Sequence, residues 1–72
     1  MPRLPSFTPQ ELGRLLEVHG FELDRTKGSH HIYYHSETGR RVVVPFHKRD
    51  LPRGTLRAIL RQAGIDPQEL GD

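Results

Sequence analysis

Two glycine-containing turns divide the middle of this chain into three strand-like segments, and no other feature of the sequence constrains the fold as much. The segments are residues 21–24, 30–35 and 40–44, and the turns are residues 26–29 and 36–39. Phe21 and Leu23 alternate with acidic residues, which indicates a half-buried strand. The second segment is rich in strand-forming residues, and the third has three consecutive valines, which predict a central strand or one buried on both faces. The short turns predict an antiparallel meander that ends at Pro45.

An amphipathic helix is predicted before this centre. Thr8 suits the N-cap, Pro9 suits the first helical position, and Glu11 completes a capping box with Thr8. Leucines then recur at helical spacing on one face. Gly20 provides a left-handed residue at the end of the helix.

A second amphipathic helix is predicted after the third strand. Its apolar stripe consists of Leu56, Ile59, Leu60 and Ala63. Gly64 ends it, and residues 66–69 are typical of a short terminal helix. We predict that the core contains Leu16, Val43, Leu56 and Ile59.

The predicted order of elements is α-β-β-β-α, within one domain that spans residues 1–72. Two amphipathic helices can cover one face of a three-stranded antiparallel sheet, so the predicted class is α+β. A double-stranded-RNA-binding domain has the same order of elements, and it reads RNA mainly by shape and by phosphate and 2′-hydroxyl contacts. The chain has 72 residues and no cysteine, so a thin apolar core must hold it without disulfides or thiolate metal sites.

The sequence gives no sign of a membrane or secretory segment. No apolar run approaches the roughly 20 residues that a membrane span needs. Residues 1–5 carry one charge but no apolar region of the signal-peptide type. We expect a soluble, cytoplasmic protein that does not contact membranes.

Basic residues are concentrated in the middle of the chain. Residues 25–57 contain eight Lys or Arg and two acids, which is +6, although the whole chain carries only +2. Four of the five histidines lie in the same span. This distribution predicts a surface that binds a polyanion; the alternative is a solvated surface on which charges cluster by chance.

The segment Gly28-Ser29-His30-His31 is the strongest candidate for a reactive site. Gly28 permits a turn with positive φ, and the Ser29 hydroxyl can bond a phosphate oxygen. RNA cleavage without a metal needs a proton taken from the 2′-hydroxyl and another given to the 5′-oxygen. Histidine suits this chemistry because an unperturbed imidazole titrates near a pH of about 6.5. The alternative is an ordinary polar surface strand.

Side chains alternate along a strand, so His30 and His31 point to opposite faces. His30 shares a face with Ile32 and Tyr34, whereas His31 shares one with Tyr33 and His35. The sequence does not say which face the helices cover. Because the two histidines diverge and cysteine is absent, we expect no metal site.

Further residues are candidate substrate contacts. His47 can act as a second acid or base, as a substrate contact, or as an ordinary loop histidine. One of the two tyrosines can stack on a base, and we expect the other in the core. The phosphate contacts that we predict are Lys27, Arg40 or Arg41 across the turn, Lys48, and Arg53 and Arg57, which lie one helical turn apart.

Several of these segments together resemble a known family. They are Gly20-Phe21-Glu22-Leu23, Lys27-Gly28-Ser29-His30-His31-Ile32-Tyr33, Val42-Val43-Val44-Pro45 with His47, and residues 54–65, Gly-Thr-Leu-Arg-Ala-Ile-Leu-Arg-Gln-Ala-Gly-Ile. In this order they resemble the HicA (YcfA-like) toxins, and the likeness runs from about residue 4 to residue 70.

The resemblance implies one toxin domain with a fold like the double-stranded-RNA-binding domain. It implies mRNA cleavage that halts translation without a metal or other cofactor. The family's catalytic histidine corresponds here to His30, or to His31 in the arrangement of some relatives. The resemblance also implies a HicB-type antitoxin that blocks the active surface, in a type II toxin–antitoxin system whose oligomer forms mainly through the antitoxin.

Two other functions are compatible with the residues. One is a non-catalytic RNA-binding module of the same fold, which binds RNA but does not cut it. The other is a small protein-binding domain that has no salt-dependent affinity for RNA.

Overall fold

The predicted α+β class and the order α-β-β-β-α are confirmed in a computed structural model, which describes residues 5–69. The elements are α1 (Pro9–Val18), β1 (Glu22–Lys27), β2 (His30–Tyr34), β3 (Arg41–Pro45), α2 (Arg53–Ala63) and a terminal 3-10 helix (Pro67–Glu69). Residues 1–4, where we looked for a signal peptide, and residue 70, where the family resemblance ends, lie outside the described residues.

Helix α1 begins and ends as its sequence predicts. The Thr8 side chain accepts a hydrogen bond from the backbone N–H of Glu11 at 3.2 Å, and the Glu11 carboxylate accepts one from the Thr8 N–H at 2.9 Å. Gly20 has a φ of 94°, and the Phe21 N–H bonds the Leu16 carbonyl at 2.9 Å. This closing bond turns the chain back, so that Phe21 is buried in the core.

The first hairpin turn is tighter than predicted. Thr26 and Lys27 belong to β1, and only Gly28 and Ser29 form the loop. Gly28 has a φ of 60°, which suits the first position of a two-residue hairpin turn. Phe21, which we expected in the strand, precedes β1, and all six residues of β1 are exposed.

The three strands form one antiparallel sheet in the order β1-β2-β3. Residues directly opposite each other share a face, so Tyr33 lies between Leu23 and Val42, and His31 between Thr26 and Val44. We call this the covered face, because its Tyr33, Val42 and Val44 are buried in the core cluster together with the helix residues Leu12, Leu16, Leu56, Ile59 and Leu60.

The opposite surface of the sheet is not covered by any element within residues 5–69. We call it the open face, and it consists of three rows of paired residues: Glu22, Tyr34 and Arg41; Arg25, Ile32 and Val43; and Lys27, His30 and Pro45.

Two predictions about β3 are wrong. The strand lies at the edge of the described sheet rather than in its centre. Val43 is 44% exposed, whereas its neighbours Val42 and Val44 are fully buried. The reason is that both helices pack on one side of the sheet, so alternate valines receive a different environment.

Helix α2 places its predicted apolar stripe against the sheet, and Leu56, Ile59 and Leu60 are buried as expected. After the left-handed Gly64, the Ile65 N–H bonds the Leu60 carbonyl at 2.9 Å, which returns Ile65 to the core. Within the described residues, neither helix is both long and apolar enough to span a bilayer.

Candidate active site

His30 is the first residue of β2 and is exposed on the open face. Its direct partners are Lys27 on β1 and Pro45 on β3. Side chains opposite each other on paired strands have Cβ atoms about 4.5–5.5 Å apart. The two side chains therefore start next to each other on the open face at the end of the sheet, within reach of one phosphate group.

The turn before His30 has free space around Gly28 and is held by a backbone hydrogen bond at Ser29. A Cβ added at Gly28 would meet nothing within 4 Å, so glycine is needed here for the positive φ of the turn and not for a close contact. The Ser29 carbonyl accepts a hydrogen bond from the Phe46 N–H at 2.6 Å. This bond fixes the start of the loop after β3 beside the hairpin turn, and His47 and Lys48 follow directly in that loop.

His31 has a different environment although it is the next residue. It lies on the covered face, is half-buried, and stacks on the Phe46 ring with centroids 3.5 Å apart and planes 12° apart. With Arg14 and Glu17 it lines a shallow groove between α1 and the sheet. The structure thus separates the two histidines into a solvent-reachable imidazole and a packed one.

The two tyrosines also divide between the faces, as expected. Tyr33 is buried, and burial, followed by the charge of Glu17, raises the pKa of its hydroxyl above the usual value near 10.0. Tyr34 lies on the open face, where the Arg41 guanidinium is 4.6 Å from its ring centroid. Arg41 also bonds the Asp24 carboxylate at 3.1 Å.

Arg40 and Arg41 do not flank His30, because they lie at the opposite end of β2. Arg41 pairs with Tyr34, four residues from His30, which corresponds to roughly 13 Å along the strand. The Arg40 guanidinium donates a hydrogen bond to the Gln62 carbonyl at 3.1 Å. Arg40 therefore caps the last turn of α2, where a cation is favourable.

Arg53 and Arg57 are exposed on α2, which packs on the covered side of the sheet. Arg57 lines a groove with Arg61 and Pro67 at the far end of that helix. The predicted phosphate contacts thus fall into two groups on opposite sides of the sheet. Lys27, Gly28 and Ser29 lie next to His30 in the hairpin, and His47 and Lys48 follow the end of β3, which pairs with His30.

Comparison with known families gives one match that covers most of the chain. A family model described as the HicA toxin of bacterial toxin–antitoxin systems matches residues 9–65. This chain belongs to the HicA toxin family. The matched range runs from the first residue of α1 to the residue after Gly64, so it contains the whole sheet and both adjacent histidines. A search of curated proteins gives no match.

Membership of the HicA family makes this chain the toxin of a toxin–antitoxin pair, with an antitoxin as its protein partner. The match covers the hairpin that holds Lys27 and His30 and the loop that holds His47 and Lys48. The match does not assign a role to any single residue, so the position of each residue on the open or the covered face decides which side chains can reach a substrate.

The sequence analysis missed one cation of the open face. Arg25 pairs with Ile32, one row from His30 and Lys27, and its guanidinium is 3.6 Å from the Asp24 carboxylate. If the loop had been placed at residues 28 and 29, Arg25 would have been predicted on the open face, because Arg25 and Lys27 then belong to β1 and their side chains point to the same face. The strand was instead expected to end at residue 24, which left Arg25 outside it.

His35 has a structural role in this HicA family member. Its Nδ1 accepts a hydrogen bond from the Thr38 N–H at 3.3 Å, and its ring meets Phe21 edge-on at 5.0 Å. These contacts hold the second turn of the sheet. In the part of the chain that the structure describes, no three histidine or acidic side chains converge as metal ligands.

Proposed function

We propose that this HicA family member is a metal-independent endoribonuclease that cleaves mRNA and that His30 is its catalytic residue. The observation that carries the proposal is the exposed Lys27–His30 pair on the open face. His31 is the weaker candidate because its ring is stacked on Phe46 and half-buried.

The reaction that we propose is an internal transesterification. The neutral imidazole of His30 takes the proton of a 2′-hydroxyl, and the 2′-oxygen attacks the adjacent phosphorus. The bond from phosphorus to the 5′-oxygen breaks, and that oxygen takes up a proton. The products are a 2′,3′-cyclic phosphate and a 5′-hydroxyl. Candidate proton donors are the imidazolium of His30 and the side chain of His47.

Lys27 contributes electrostatic stabilisation in this mechanism. Negative charge grows on the non-bridging phosphoryl oxygens as the 2′-oxygen attacks, and the Lys27 ammonium beside them stabilises that charge more in the transition state than in the ground state. General acid–base catalysis by a positioned side chain typically contributes about 10²–10⁴ in rate. In this proposal His30 supplies the proton transfer and Lys27 the stabilisation of charge on the phosphoryl group.

The substrate surface that we propose extends from the hairpin turn. The Ser29 hydroxyl, the Gly28 backbone and Lys48 contact the phosphates next to the cleaved bond. Arg25 and Arg41 lie farther along the open face and contact more distant phosphates, while Arg53 and Arg57 can only hold RNA that wraps around the molecule. We leave Arg40 out, because its guanidinium is bonded to the end of α2.

We further propose that a HicB-type antitoxin inhibits the toxin by covering the His30 end of the open face. In this scheme the pair is a type II system, because a protein neutralises the toxin directly. The larger oligomer then forms mainly through the antitoxin.

The experiment that tests this function is cleavage of a 5′-labelled mRNA fragment by purified protein in excess EDTA. We expect cleavage with 2′,3′-cyclic phosphate and 5′-hydroxyl ends, and inhibition by the antitoxin encoded beside the toxin. Binding of the same RNA, measured over a salt series, is the companion assay. Salt-sensitive binding without cleavage would instead identify a non-catalytic RNA-binding module.

A further inference from the structure

Among residues 5–69, strand β3 has a backbone partner on one side only. Two hydrogen bonds bracket its pairing with β2: the His35 N–H bonds the Arg40 carbonyl at 3.0 Å, and the Phe46 N–H bonds the Ser29 carbonyl at 2.6 Å. Hydrogen-bonded and non-hydrogen-bonded pairs alternate along an antiparallel ladder. The direction of every backbone group between these two bonds is therefore determined.

The register assigns the backbone groups of Val42 and Val44 to the ladder with β2. The N–H and C=O groups of Arg41 and Val43 point the other way, out of the sheet edge. No hydrogen bond from the described residues reaches these outward groups. Val43 thus combines an unpaired backbone with a side chain that is 44% exposed.

The two edges of the sheet differ in how they are protected. The β1 edge has a register shift between Leu23 and Arg25, and its strand sequence, Glu-Leu-Asp-Arg-Thr-Lys, is mostly charged. Bulges and charges are the usual devices that stop another strand from pairing with an edge. The pairing of β3 runs without a shift, and its centre is three valines. Its composition is that of a central strand, although it lies at an edge.

We propose that the antitoxin adds a β-strand to the β3 edge, so that β3 becomes an inner strand of the complex. The choice of occupant follows from membership of a toxin–antitoxin family, which gives this chain a protein partner, and from charge. Lys48 and Arg49 follow the end of β3. The matching segment is therefore extended, apolar at its centre opposite Val43, and acidic towards the end that meets Lys48 and Arg49.

This docking geometry also accounts for inhibition. Pro45 lies in the same row as His30, and strands are about 4.8 Å apart, so the added strand lies roughly 9.5 Å from β2. Side chains of the partner that project on the open face then stand next to Pro45, from where a long side chain can extend towards His30. The choice of the antitoxin as occupant rests on family membership, whereas the inhibition rests on the proposed ribonuclease function.

Replacing Val43 by proline or threonine tests the edge, with the antitoxin encoded beside the toxin as the probe. Val43→Pro removes an outward N–H without removing a ladder bond, and proline is tolerated on edge strands whose N–H faces solvent. Val43→Thr keeps both the N–H and the β-branched shape. By titration calorimetry we expect Val43→Pro to weaken binding at least 10-fold and Val43→Thr to change it less than threefold. Equal affinity of wild type and Val43→Pro would overturn the proposal.

Amide hydrogen exchange at Val43 of the wild-type protein provides a second readout that needs no variant, should Val43→Pro fail to fold. We expect the Val43 N–H to exchange rapidly in the free toxin and at least 100-fold more slowly in the complex. Unchanged exchange on binding would refute strand addition. Protection in the free toxin that grows with its concentration would also refute it, since the edge would then pair with a second copy. Neither assay uses RNA, so docking and ribonuclease activity can fail independently.

Discussion

The two faces of the sheet carry neighbouring residues of the same kind in opposite roles. His30 on the open face is exposed beside Lys27, whereas His31 on the covered face is stacked on Phe46. The same alternation separates exposed Val43 from buried Val42. Strand geometry alone thus converts a doublet in the sequence into one exposed side chain and one packed side chain.

The comparison also shows where the stability of so small a domain comes from. The covered face supplies Tyr33, Val42 and Val44 to the core, and the open face contributes no residue to it. Substitutions on the covered face should therefore change the free energy of unfolding, whereas substitutions on the open face should change binding and cleavage.

The valine pair Val42 and Val43 gives the largest expected contrast in stability. Val42→Ala removes two fully buried methyl groups and leaves a cavity, so we expect a loss of about 2–3 kcal/mol. Val43→Ala should cost less than about 1 kcal/mol, because that side chain is already partly solvated. Urea unfolding at equilibrium measures both. Equal losses for the two variants would mean that the assigned faces are wrong.

The lysine beside His30 should matter more for cleavage than a cation at the far end of the same face. Lys27→Ala removes a charged contact to phosphate, which is worth about 1.5–3 kcal/mol, so we expect a loss of roughly 10–100-fold in kcat/KM. Arg41→Ala should lower the rate of cleavage only about twofold when it is measured at saturating RNA. Steady-state cleavage of one labelled RNA compares them. A larger effect of Arg41→Ala would move the active site along the strand.

Gly13 tests how tightly α1 lies on the covered face. A Cβ at this position would overlap the Tyr33 hydroxyl and lie 3.3 Å from Cζ of the same ring. We expect Gly13→Ala to cost about 1–2 kcal/mol by overpacking, in spite of the better helix propensity of alanine. The cost should shrink when Tyr33→Phe removes the hydroxyl. A double-mutant cycle in urea measures this coupling, and strictly additive losses would contradict the contact.

The smallest effect should be a pH dependence that belongs to the covered face. Burial and the charge of Glu17 raise the pKa of Tyr33, so the folded state keeps the hydroxyl proton that the unfolded chain loses near pH 10. Stability should therefore fall as the pH rises above about 10, and it should fall less in Tyr33→Phe. Unfolding at pH 8 and pH 10.5 measures both proteins. An equal loss of stability in wild type and Tyr33→Phe between the two pH values would show that the Tyr33 hydroxyl is solvated.

Much of this fold could be predicted because its signals are local. The capping box at Thr8, the helix ends at Gly20 and Gly64, and the apolar stripe of α2 all depend on residues close in sequence. The exposure of Val43 could not be predicted. It depends on whether the helices cover one face of the sheet or both, and three valines in a row are compatible with either arrangement.

The candidate site divides in the same way. The turn residues Gly28 and Ser29 and the neighbouring Lys27 were predicted, because a hairpin brings residues near in sequence together. Arg40 was expected beside the turn but lies at the end of α2, and Arg25 was missed. The Arg25 error follows from the first turn, which was misplaced by two residues and so left Arg25 outside the strand register. The Arg40 error has another cause: the second turn was placed correctly, and it puts Arg40 opposite His35, at the other end of β2 from His30.

The central claim is that His30, and not His31, performs the chemistry, and single-turnover cleavage by two variants tests it most directly. His30→Ala should lower the rate constant about 10²–10⁴-fold while the protein keeps its fold and binds RNA. His31→Phe, which preserves a stacked ring against Phe46, should cleave within about threefold of wild type. Full activity of His30→Ala, or its loss only in a folded His31→Phe variant, would contradict the account.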